Sequence, residues 1–500
     1  MTTHETHTAV VVGAGFSGVA AAARLLEDGV DDVLVLERAG DVGGAWRDNT
    51  YPGCVCDVPS HLYSLSFALN PHWSRRFAPQ PEIWDYLREV ADRTGVRART
   101  RFRTELREAS WDDRTAVWRL ETTAGPVRGR VLVLATGALS EPATPALPGR
   151  ETFPGPVFHS ARWPRGLDLT GARVAVAGTG ASAVQIVPAL ADTVRSLHLF
   201  QRTPAWVLPR GDRPVRPVIR RLHERWPLTQ RLARQGQRWG REISLLGFQH
   251  PALGELVARQ ARRRLARQVP DPALRAALTP SYSLGCKRIL LSDDFWPTLT
   301  RPHVHLVPSP VREVVGRTVV AADGTAVDVD AVVLATGFRV TDPPVARLVR
   351  GRDLRTLAEA WGGSPRAYLG TTVAGFPNLF LLLGPGTGLA HSSVLLMAEA
   401  QVEHLRAAVR AMAEHGLVAL EPRVGAQDAF VDVLDRRLAG TVWQRGGCTS
   451  WYRDRTGRLS ALWPGSISGF ERRLRRLRPT DYLVRRSELD PGRRAATLER

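Results

Sequence analysis

Two glycine-rich turns in this 500-residue chain point most directly to a chemical function. The first turn carries Gly13, Gly15 and Gly18 between an apolar strand at 9–12 and a predicted helix at 17–28. Such glycines permit a tight turn, close approach of a pyrophosphate and close packing of the helix. Glu37 ends the next predicted strand, where an acid accepts hydrogen bonds from an adenosine ribose. This turn therefore predicts a dinucleotide site.

The second turn reads Gly-Thr-Gly-Ala-Ser-Ala from residue 178, with alanine in place of the third glycine. After its second strand the acid is missing and Arg202 follows. A guanidinium suits a 2′-phosphate, so the turn predicts NADPH rather than NADH, unless Arg202 is an ordinary surface arginine. We expect the coenzyme to be held by the turn and the residues after it: Gly178, Thr179, Gly180, Ala181, Ser182, Gln185, Arg202 and Thr203.

The chain uses arginine almost everywhere that a cation is needed. Its 68 basic residues include a single lysine, Lys287. An ammonium is a compact point charge, unlike the planar guanidinium. Either a compact cation is required at this position, or the lysine is there by chance.

The predicted secondary-structure elements around these residues alternate between strands and helices. They predict an α/β fold with two Rossmann-like dinucleotide-binding domains, the second carrying a helical insertion. Ala-Thr-Gly strings at 135–137 and 335–337 indicate crossings between the domains. We expect the first domain at 1–142 and 326–485, the second at 143–325 with its insertion at about 218–278, and a disordered tail at 486–500.

Composition narrows the possible partners and location. The net charge is +19, but the arginines are scattered, so we expect no nucleic-acid partner. No apolar run is long enough to predict a membrane span, and an early strand leaves no secretion signal. These features predict a cytoplasmic protein. Its four cysteines are interpreted as packing residues in a reducing compartment, and no metal site is expected: Cys54, Cys56, Cys286 and Cys448.

Two longer motifs resemble those of a known family. Residues 153–164 fit F-x-G-x-x-x-H-x-x-x-W-P, and residues 43–57 carry Gly-Gly-Ala-Trp, then Tyr-Pro-Gly and an aspartate. Both match the type I Baeyer–Villiger monooxygenases, a subfamily of the class B flavoprotein monooxygenases, and the resemblance covers roughly residues 8–485. Within the first motif, His159 is interpreted as a structural residue rather than a catalytic one.

The resemblance implies cofactors and roles for particular residues. FAD would occupy the first domain and NADPH the second. Arg288 matches the active-site arginine and Asp57 its partner carboxylate, while Lys287 matches a contact to the NADP 2′-phosphate. Trp451 is similar to a loop tryptophan that closes over the nicotinamide, although a core aromatic is the alternative. Further FAD contacts are expected from Gly44, Trp46, Asp57, Val58 and Tyr63.

The resemblance also implies the reaction. NADPH would reduce FAD, O2 would add at C4a, and the resulting peroxide anion would attack a ketone to give an ester or lactone. A fixed cation such as Arg288 would keep the peroxide anionic. The alternatives are an N- or S-oxygenase, which needs no such cation, a flavoprotein reductase, and a nonenzymatic basic protein. A hydrophobic ketone is suggested by four aromatic residues: Tyr282, Phe295, Trp296 and Trp443. The sequence indicates no oligomeric state.

Overall fold

The computed structural model describes residues 6–487. The prediction of a disordered tail at 486–500 is wrong at its first residue, which ends the strand Tyr482–Arg486. From residue 488 onward the predicted tail lies outside the described residues. Within the described part, every helix is too short or too polar to cross a bilayer.

The elements alternate along the chain as follows. The strands are β1 (Thr6–Val12), β2 (Val33–Leu36), β3 (Thr100–Arg101), β4 (Leu106–Asp112), β5 (Val117–Thr122), β6 (Val127–Leu134), β7 (Val157–His159), β8 (Arg173–Ala177), β9 (Ser196–Phe200), β10 (Val207–Leu208), β11 (Leu290–Leu291), β12 (Val304–Val307), β13 (Val311–Val315), β14 (Thr318–Ala321), β15 (Ala326–Asp328), β16 (Ala331–Leu334), β17 (Val349–Arg350), β18 (Leu379–Leu381), β19 (Leu417–Pro422) and β20 (Tyr482–Arg486). The helices are α1 (Phe16–Glu27), α2 (Ala45–Asp48), α3 (Gln80–Arg93), α4 (Ala183–Leu190), α5 (Pro217–Arg225), α6 (Pro227–Gln249), α7 (Pro251–Gln268), α8 (Pro272–Ala277), α9 (Phe295–Thr298), α10 (Leu357–Trp361), α11 (Val394–Glu414), α12 (Val424–Ala439), α13 (Val442–Arg445) and α14 (Ile467–Leu474).

The first sheet has the strand order β17-β4-β5-β6-β1-β2-β3. Strands β6, β1 and β2 are parallel, and β18 takes the place of β5 beside the last three residues of β6. Because both faces of these strands are buried, each in its own apolar cluster, the strands are apolar runs rather than alternating ones. The alanine-rich helix α1 is buried along most of its length and packs against α11. The carboxyl ends of β1 and β6 thus meet at the first glycine-rich turn.

The second sheet is wholly parallel, with the order β12-β9-β8-β16-β7. Its strand β16 lies between β8 and β7, although the sequence prediction returned the chain to the first domain at about residue 325. That limit is wrong, because the buried run Ala331–Leu334 completes the second sheet. The return falls between Leu334 and Val349, where β17 joins the first sheet. The other domain limits stay predictions.

Helices α5 to α8 occupy 217–277, between β10 and β11 of the second domain. Helix α6, with 23 residues, is the longest of the four. One of its faces is buried, and apolar side chains of another face remain exposed: Leu228, Leu232, Trp239 and Ile243. The buried face brings the insertion against elements that follow residue 390.

Candidate active site

The first turn is shaped by backbone contacts that exclude side chains. Gly13 has φ +106°, and a Cβ there would lie 2.6 Å from the Ala135 carbonyl oxygen. A Cβ at Gly18 would lie 1.8 Å from the Gly13 carbonyl oxygen. Gly15 lies against Gly44 of the following loop, where a Cβ would be 3.7 Å from the Gly44 Cα. The start of α1 therefore approaches the strand as closely as backbone atoms allow.

Glu37 lies at the end of β2 with only 4% of its surface exposed. Its carboxylate accepts hydrogen bonds from the backbone N–H of Ala14 (2.8 Å) and of Ala39 (2.9 Å). The Arg47 guanidinium also donates to it at 3.0 Å. Sequence reasoning found Glu37 but missed Arg47, which ties this acid to the loop after the turn. The acid is thereby fixed beside the glycine-rich turn.

The loop after β2 brings further predicted residues to the same turn. The Trp46 indole N–H donates to the Tyr63 hydroxyl at 3.0 Å, and Phe16 packs edge-on against Tyr63 at 5.1 Å. Val58 is buried, and its N–H donates to the Cys56 Sγ. These groups form one wall around the start of α1.

The second turn repeats the geometry of the first. Gly178 has φ +114°, and a Cβ there would lie 2.5 Å from the Ala335 carbonyl oxygen. Around Gly180, apart from its two chain neighbours, nothing lies within 4 Å of the Cβ position. The Thr179 hydroxyl donates to the Thr203 carbonyl at 2.7 Å, and α4 begins directly after Ser182. Next to the exposed Ala181, the turn thus leaves open space at the amino end of a helix.

Gln185 joins the two glycine-rich regions rather than facing the open turn. Its amide oxygen accepts hydrogen bonds from the Tyr51 hydroxyl and the Val55 N–H, both at 3.2 Å. Its amide nitrogen donates to the Val55 carbonyl at 3.0 Å. This helix therefore holds the loop that leads to Asp57, and a coenzyme contact from Gln185 stays a prediction.

Arg202 and Lys287 come from distant parts of the chain and influence each other. Burial, and then the like charge of Arg202, lower the pKa of the Lys287 ammonium. That ammonium lies 5.2 Å from the centre of the Tyr282 ring. Among residues 6–487, neither cation has a carboxylate within ion-pair distance. Two neighbouring cations without a counter-charge suit a bound phosphate.

Asp57 and Arg288, 231 positions apart, form an ion pair. The guanidinium donates to the same carboxylate oxygen, Asp57 Oδ2, from Nη2 at 2.6 Å and from Nε at 2.9 Å. The charge of Asp57 is the main reason that the pKa of Arg288 lies above its ordinary value. Both bonds use one edge of the guanidinium, and the side chain keeps 28% of its surface exposed. The ion pair therefore fixes a permanent cation and leaves part of it exposed to the adjoining space.

A disulfide corrects the interpretation of the cysteines. Cys286 and Cys448 are bonded, with their Cα atoms 6.1 Å apart, whereas Cys54 and Cys56 are free. The prediction that all four cysteines are unpaired packing residues is therefore wrong for Cys286 and Cys448. The pairing was missed because 162 positions separate them along the chain. Spacing alone could not show that they meet. The disulfide ties the segment of Arg288 to the loop that carries Trp451.

Two neighbouring aromatic residues of that loop lie in different environments. Trp451 keeps 44% of its surface exposed, so it is not a core aromatic. Tyr452 is buried, and burial raises its pKa to about 12. Tyr282 and Trp443 lie in the same apolar cluster as Tyr452. The other two aromatic residues that suggested a hydrophobic ketone pack instead in the core of the second sheet: Phe295 and Trp296. The expectation that they lie near the substrate is wrong.

The fingerprint at 153–164 lies at the edge of the second sheet. A Cβ at Gly155 would lie 2.1 Å from the Asp330 carbonyl oxygen, so only glycine fits there. His159 is buried, and its Nδ1 accepts a hydrogen bond from the Ala161 N–H at 3.1 Å. Trp163 packs edge-on against Phe158 at 5.0 Å. These contacts position the strand that follows the crossing between domains.

Among residues 6–487, sixteen buried side-chain polar atoms lack a hydrogen-bond partner, and seven of them lie in two segments, 391–392 and 443–460. Of the residues that carry these seven atoms, sequence reasoning singled out only Trp443, as an aromatic residue, and no spacing signal could have found the rest. Native proteins leave few such atoms unsatisfied, so this region is suited to receive a bound group. These seven atoms are His391 Nδ1 and Nε2, Ser392 Oγ, Trp443 Nε1, Ser450 Oγ, Tyr452 OH and Ser460 Oγ.

The residues present fit two dinucleotides. The first turn offers a closely approached backbone and a fixed acid, as the adenosine half of FAD requires. The second offers an open turn and two unpaired cations, as NADPH requires. Among residues 6–487, no group of His, Cys, Asp and Glu side chains could hold a metal ion.

Comparisons with known proteins agree with this geometry. A model of the NAD(P)-binding Rossmann-like domain matches residues 11–90. A Baeyer–Villiger monooxygenase of Streptomyces coelicolor is 50% identical over 97% of this chain and 93% of its own length. A second, from Pseudomonas aeruginosa, is 44% identical over 91% of this chain and 87% of its own length. The chain belongs to the Baeyer–Villiger monooxygenase family.

Solved structures of Baeyer–Villiger monooxygenases share the whole fold. OTEMO in complex with FAD and NADP superposes with a TM-score of 0.87 at 28% identity, covering 96% of this chain and 99% of that one. A steroid monooxygenase bound to NADP gives 0.86 at 31% identity, covering 96% and 100%. The predicted α/β fold with two dinucleotide-binding domains is confirmed.

Membership of the family fixes the enzyme class. The protein is an FAD-dependent Baeyer–Villiger monooxygenase that uses NADPH and O2 to convert a ketone into an ester or lactone. Oxygenation of nitrogen or sulfur, the alternative open at the sequence level, is not favoured. The prediction of FAD and NADPH as cofactors is confirmed.

Proposed function

We propose that Arg288 is the catalytic cation of this enzyme and that Asp57 is its positioning residue. FAD, once reduced by NADPH, supplies the electrons that activate O2. Attack on a ketone requires a negatively charged oxygen, and a fixed cation stabilises that charge where water is excluded. The ion pair at 2.6 Å supports this role, because it orients the guanidinium and leaves part of it exposed.

We assign the first turn to FAD. Gly13, Gly15 and Gly18 would admit its pyrophosphate, and Glu37 would accept hydrogen bonds from its ribose. Five predicted residues of the following loop would flank the flavin: Gly44, Trp46, Asp57, Val58 and Tyr63.

We assign the second turn to NADPH. The backbone at Gly178 and Gly180 would approach the pyrophosphate, with the start of α4 directed at it. The residues beside them would complete the site: Thr179, Ala181, Ser182, Gln185 and Thr203. Trp451, exposed on its loop, would cover the nicotinamide.

The choice of NADPH over NADH rests on Arg202 and Lys287. Each charge-assisted contact to the 2′-phosphate contributes about 1.5–3 kcal/mol. We expect Arg202→Ala to raise the KM for NADPH about 10- to 100-fold and to leave NADH use nearly unchanged. Steady-state rates with both coenzymes measure the difference. Arg195→Ala, at an exposed position of the same domain, is the control, and equal losses with both coenzymes would contradict the assignment.

We propose a ketone with an apolar body as substrate. Tyr282 and Trp443 support this proposal because they pack in the cluster that contains Cys286, two residues from Arg288. We expect cyclic and long-chain ketones to be oxygenated at least tenfold more efficiently than small polar ones, since buried apolar surface contributes about 25 cal/mol per Å². Ester and lactone formation across a panel of ketones, amines and sulfides measures this. A protein that oxygenates only amines and sulfides would overturn the proposal.

A cytoplasmic location is also proposed, on the ground that this compartment supplies NADPH. Cytoplasmic thiols are generally kept reduced. Cys286 and Cys448 would then exist there as two thiols, in contrast to the bonded pair of the structure.

A further inference from the structure

Helix α6 presents three arginines to the interior on one face. Arg234, Arg238 and Arg241 are followed on that face by Leu245 and Phe248, at helical spacings of three and four. Arg234 pairs with Glu399 of α11 at 2.9 Å. Arg238 pairs with Glu471 of α14 at 2.6 Å.

Arg241 differs from the other two arginines. No carboxylate of residues 6–487 lies within ion-pair distance of it. Glu242, its neighbour, accepts a hydrogen bond from the Ile467 N–H at 2.8 Å instead. Arg241 is only partly exposed, and burial lowers the pKa of its guanidinium. A partly buried cation without a counter-charge is costly unless a ligand supplies one.

The next residues on this face lead to the active site. Leu245 and Phe248 belong to the apolar cluster that contains Tyr452 and Cys286. Phe248 stacks on Trp443 with ring centres 5.5 Å apart. After burial, the charge of Asp57 raises the pKa of Arg241, and the charges of Arg76 and then Arg288 lower it. Arg241 therefore lies within range of the charges of the catalytic pair.

His391 provides an independent observation at the same place. It is 4% exposed, and neither of its ring nitrogens has a hydrogen-bond partner. Burial, and then the charge of Arg241, lower its pKa to about 4, so the ring is neutral near pH 7 and can donate one hydrogen bond. The adjacent Ser392 hydroxyl is buried and also unpartnered. Ala390, one residue earlier, packs against the cluster that contains Phe248.

We propose that Arg241 and His391 form a subsite for a carboxylate carried by the ketone substrate. This inference rests on the proposed function, since it specifies what is attached to the ketone. Asp57 is already engaged by Arg288, so Arg241 is left as a cation in excess. A guanidinium binds a carboxylate through two parallel hydrogen bonds, and His391 and Ser392 can add one each. The two coenzymes are assigned anion sites elsewhere, at the glycine-rich turns and at Arg202 with Lys287.

Straight-chain oxo acids of several lengths and their methyl esters test the subsite. With FAD-loaded wild type, we expect kcat/KM for the best oxo acid to exceed that for its ester about 10- to 100-fold. Arg241→Gln should remove this preference by raising the KM for the acid, with kcat/KM for the ester changed less than about twofold. His391→Ala should lower the preference in part. Arg231→Gln, at an exposed position of the same helix, should leave both substrates unaffected.

The outcomes separate the subsite from the proposed function. Ester oxygenation at the wild-type rate in Arg241→Gln shows that the variant is folded and holds FAD. If wild type uses the methyl esters as well as the acids, or if Arg241→Gln loses both equally, the subsite is overturned while ketone oxygenation stands. If no ketone of any kind yields an ester, the proposed function fails and the subsite fails with it.

Discussion

Arg288→Ala is expected to abolish ester formation while FAD stays bound. The guanidinium is the cation fixed by Asp57 at 2.6 Å, and it carries its charge at any working pH. Losing one aimed cation or donor costs about 2.7–4 kcal/mol, roughly 10²–10³ in rate. Ester formation and NADPH consumption, recorded together, measure the effect. Continued NADPH consumption with release of hydrogen peroxide would show that coenzyme and O2 still react without transfer of oxygen to the ketone.

Two further variants show whether charge or geometry matters at this position. Arg288→Lys should remain slow, because an ammonium cannot reproduce the guanidinium edge that engages Asp57 Oδ2. Asp57→Asn should retain FAD and slow ester formation roughly 10- to 100-fold, a usual cost of removing a group that orients another. Asp192→Asn, at a surface ion pair with Arg301, is the control. Undiminished ester formation in Arg288→Ala would refute the mechanism.

Gly18→Ala is expected to eliminate FAD binding and with it all activity. A Cβ at this position would lie 1.8 Å from the Gly13 carbonyl oxygen, far inside van der Waals contact. Helix α1 would have to move away from β1, which displaces the backbone that approaches the pyrophosphate. The flavin absorbance of the purified protein, expected to fall below about a tenth of the wild-type value, measures the loss.

The control for this substitution is Gly236→Ala. Gly236 lies in α6, where nothing beyond the neighbouring turns of the helix backbone comes within 4 Å of the Cβ position, and alanine favours a helix over glycine. This variant should keep its flavin. Circular dichroism of Gly18→Ala distinguishes a folded apoprotein from a failure to fold. A Gly18→Ala protein with full flavin content would refute the assignment of this turn to FAD.

The sequence predicted the local features of the fold well. The first glycine-rich turn and its acid lie within a single strand–helix–strand unit, so their spacing alone predicts the arrangement around Glu37. The second turn followed from the same reasoning, and it comes directly after β8 (Arg173–Ala177). The fold class was predictable because these apolar runs are long and well separated.

Features that depend on tertiary contact were not predictable from spacing. Asp57 and Arg288 were paired through a family resemblance, not through any pattern that links residues 231 positions apart. The assignment of β16 to the first domain was wrong because a buried four-residue apolar strand has the same sequence pattern in either sheet. Arg47, His391 and Arg241 gave no sequence signal, since their importance comes from what lies beside them after folding.

The rate of the enzyme should depend on whether Cys286 and Cys448 are bonded or reduced. The bond closes a ring across 162 positions, and its ends lie two residues from Arg288 and three from Trp451. Thiol–disulfide exchange would therefore free the Trp451 loop from the segment of the catalytic cation in a single step. Protein from an oxidising preparation and protein from a reducing cell would then be different molecules. A rate measured without fixing the thiol state averages over both.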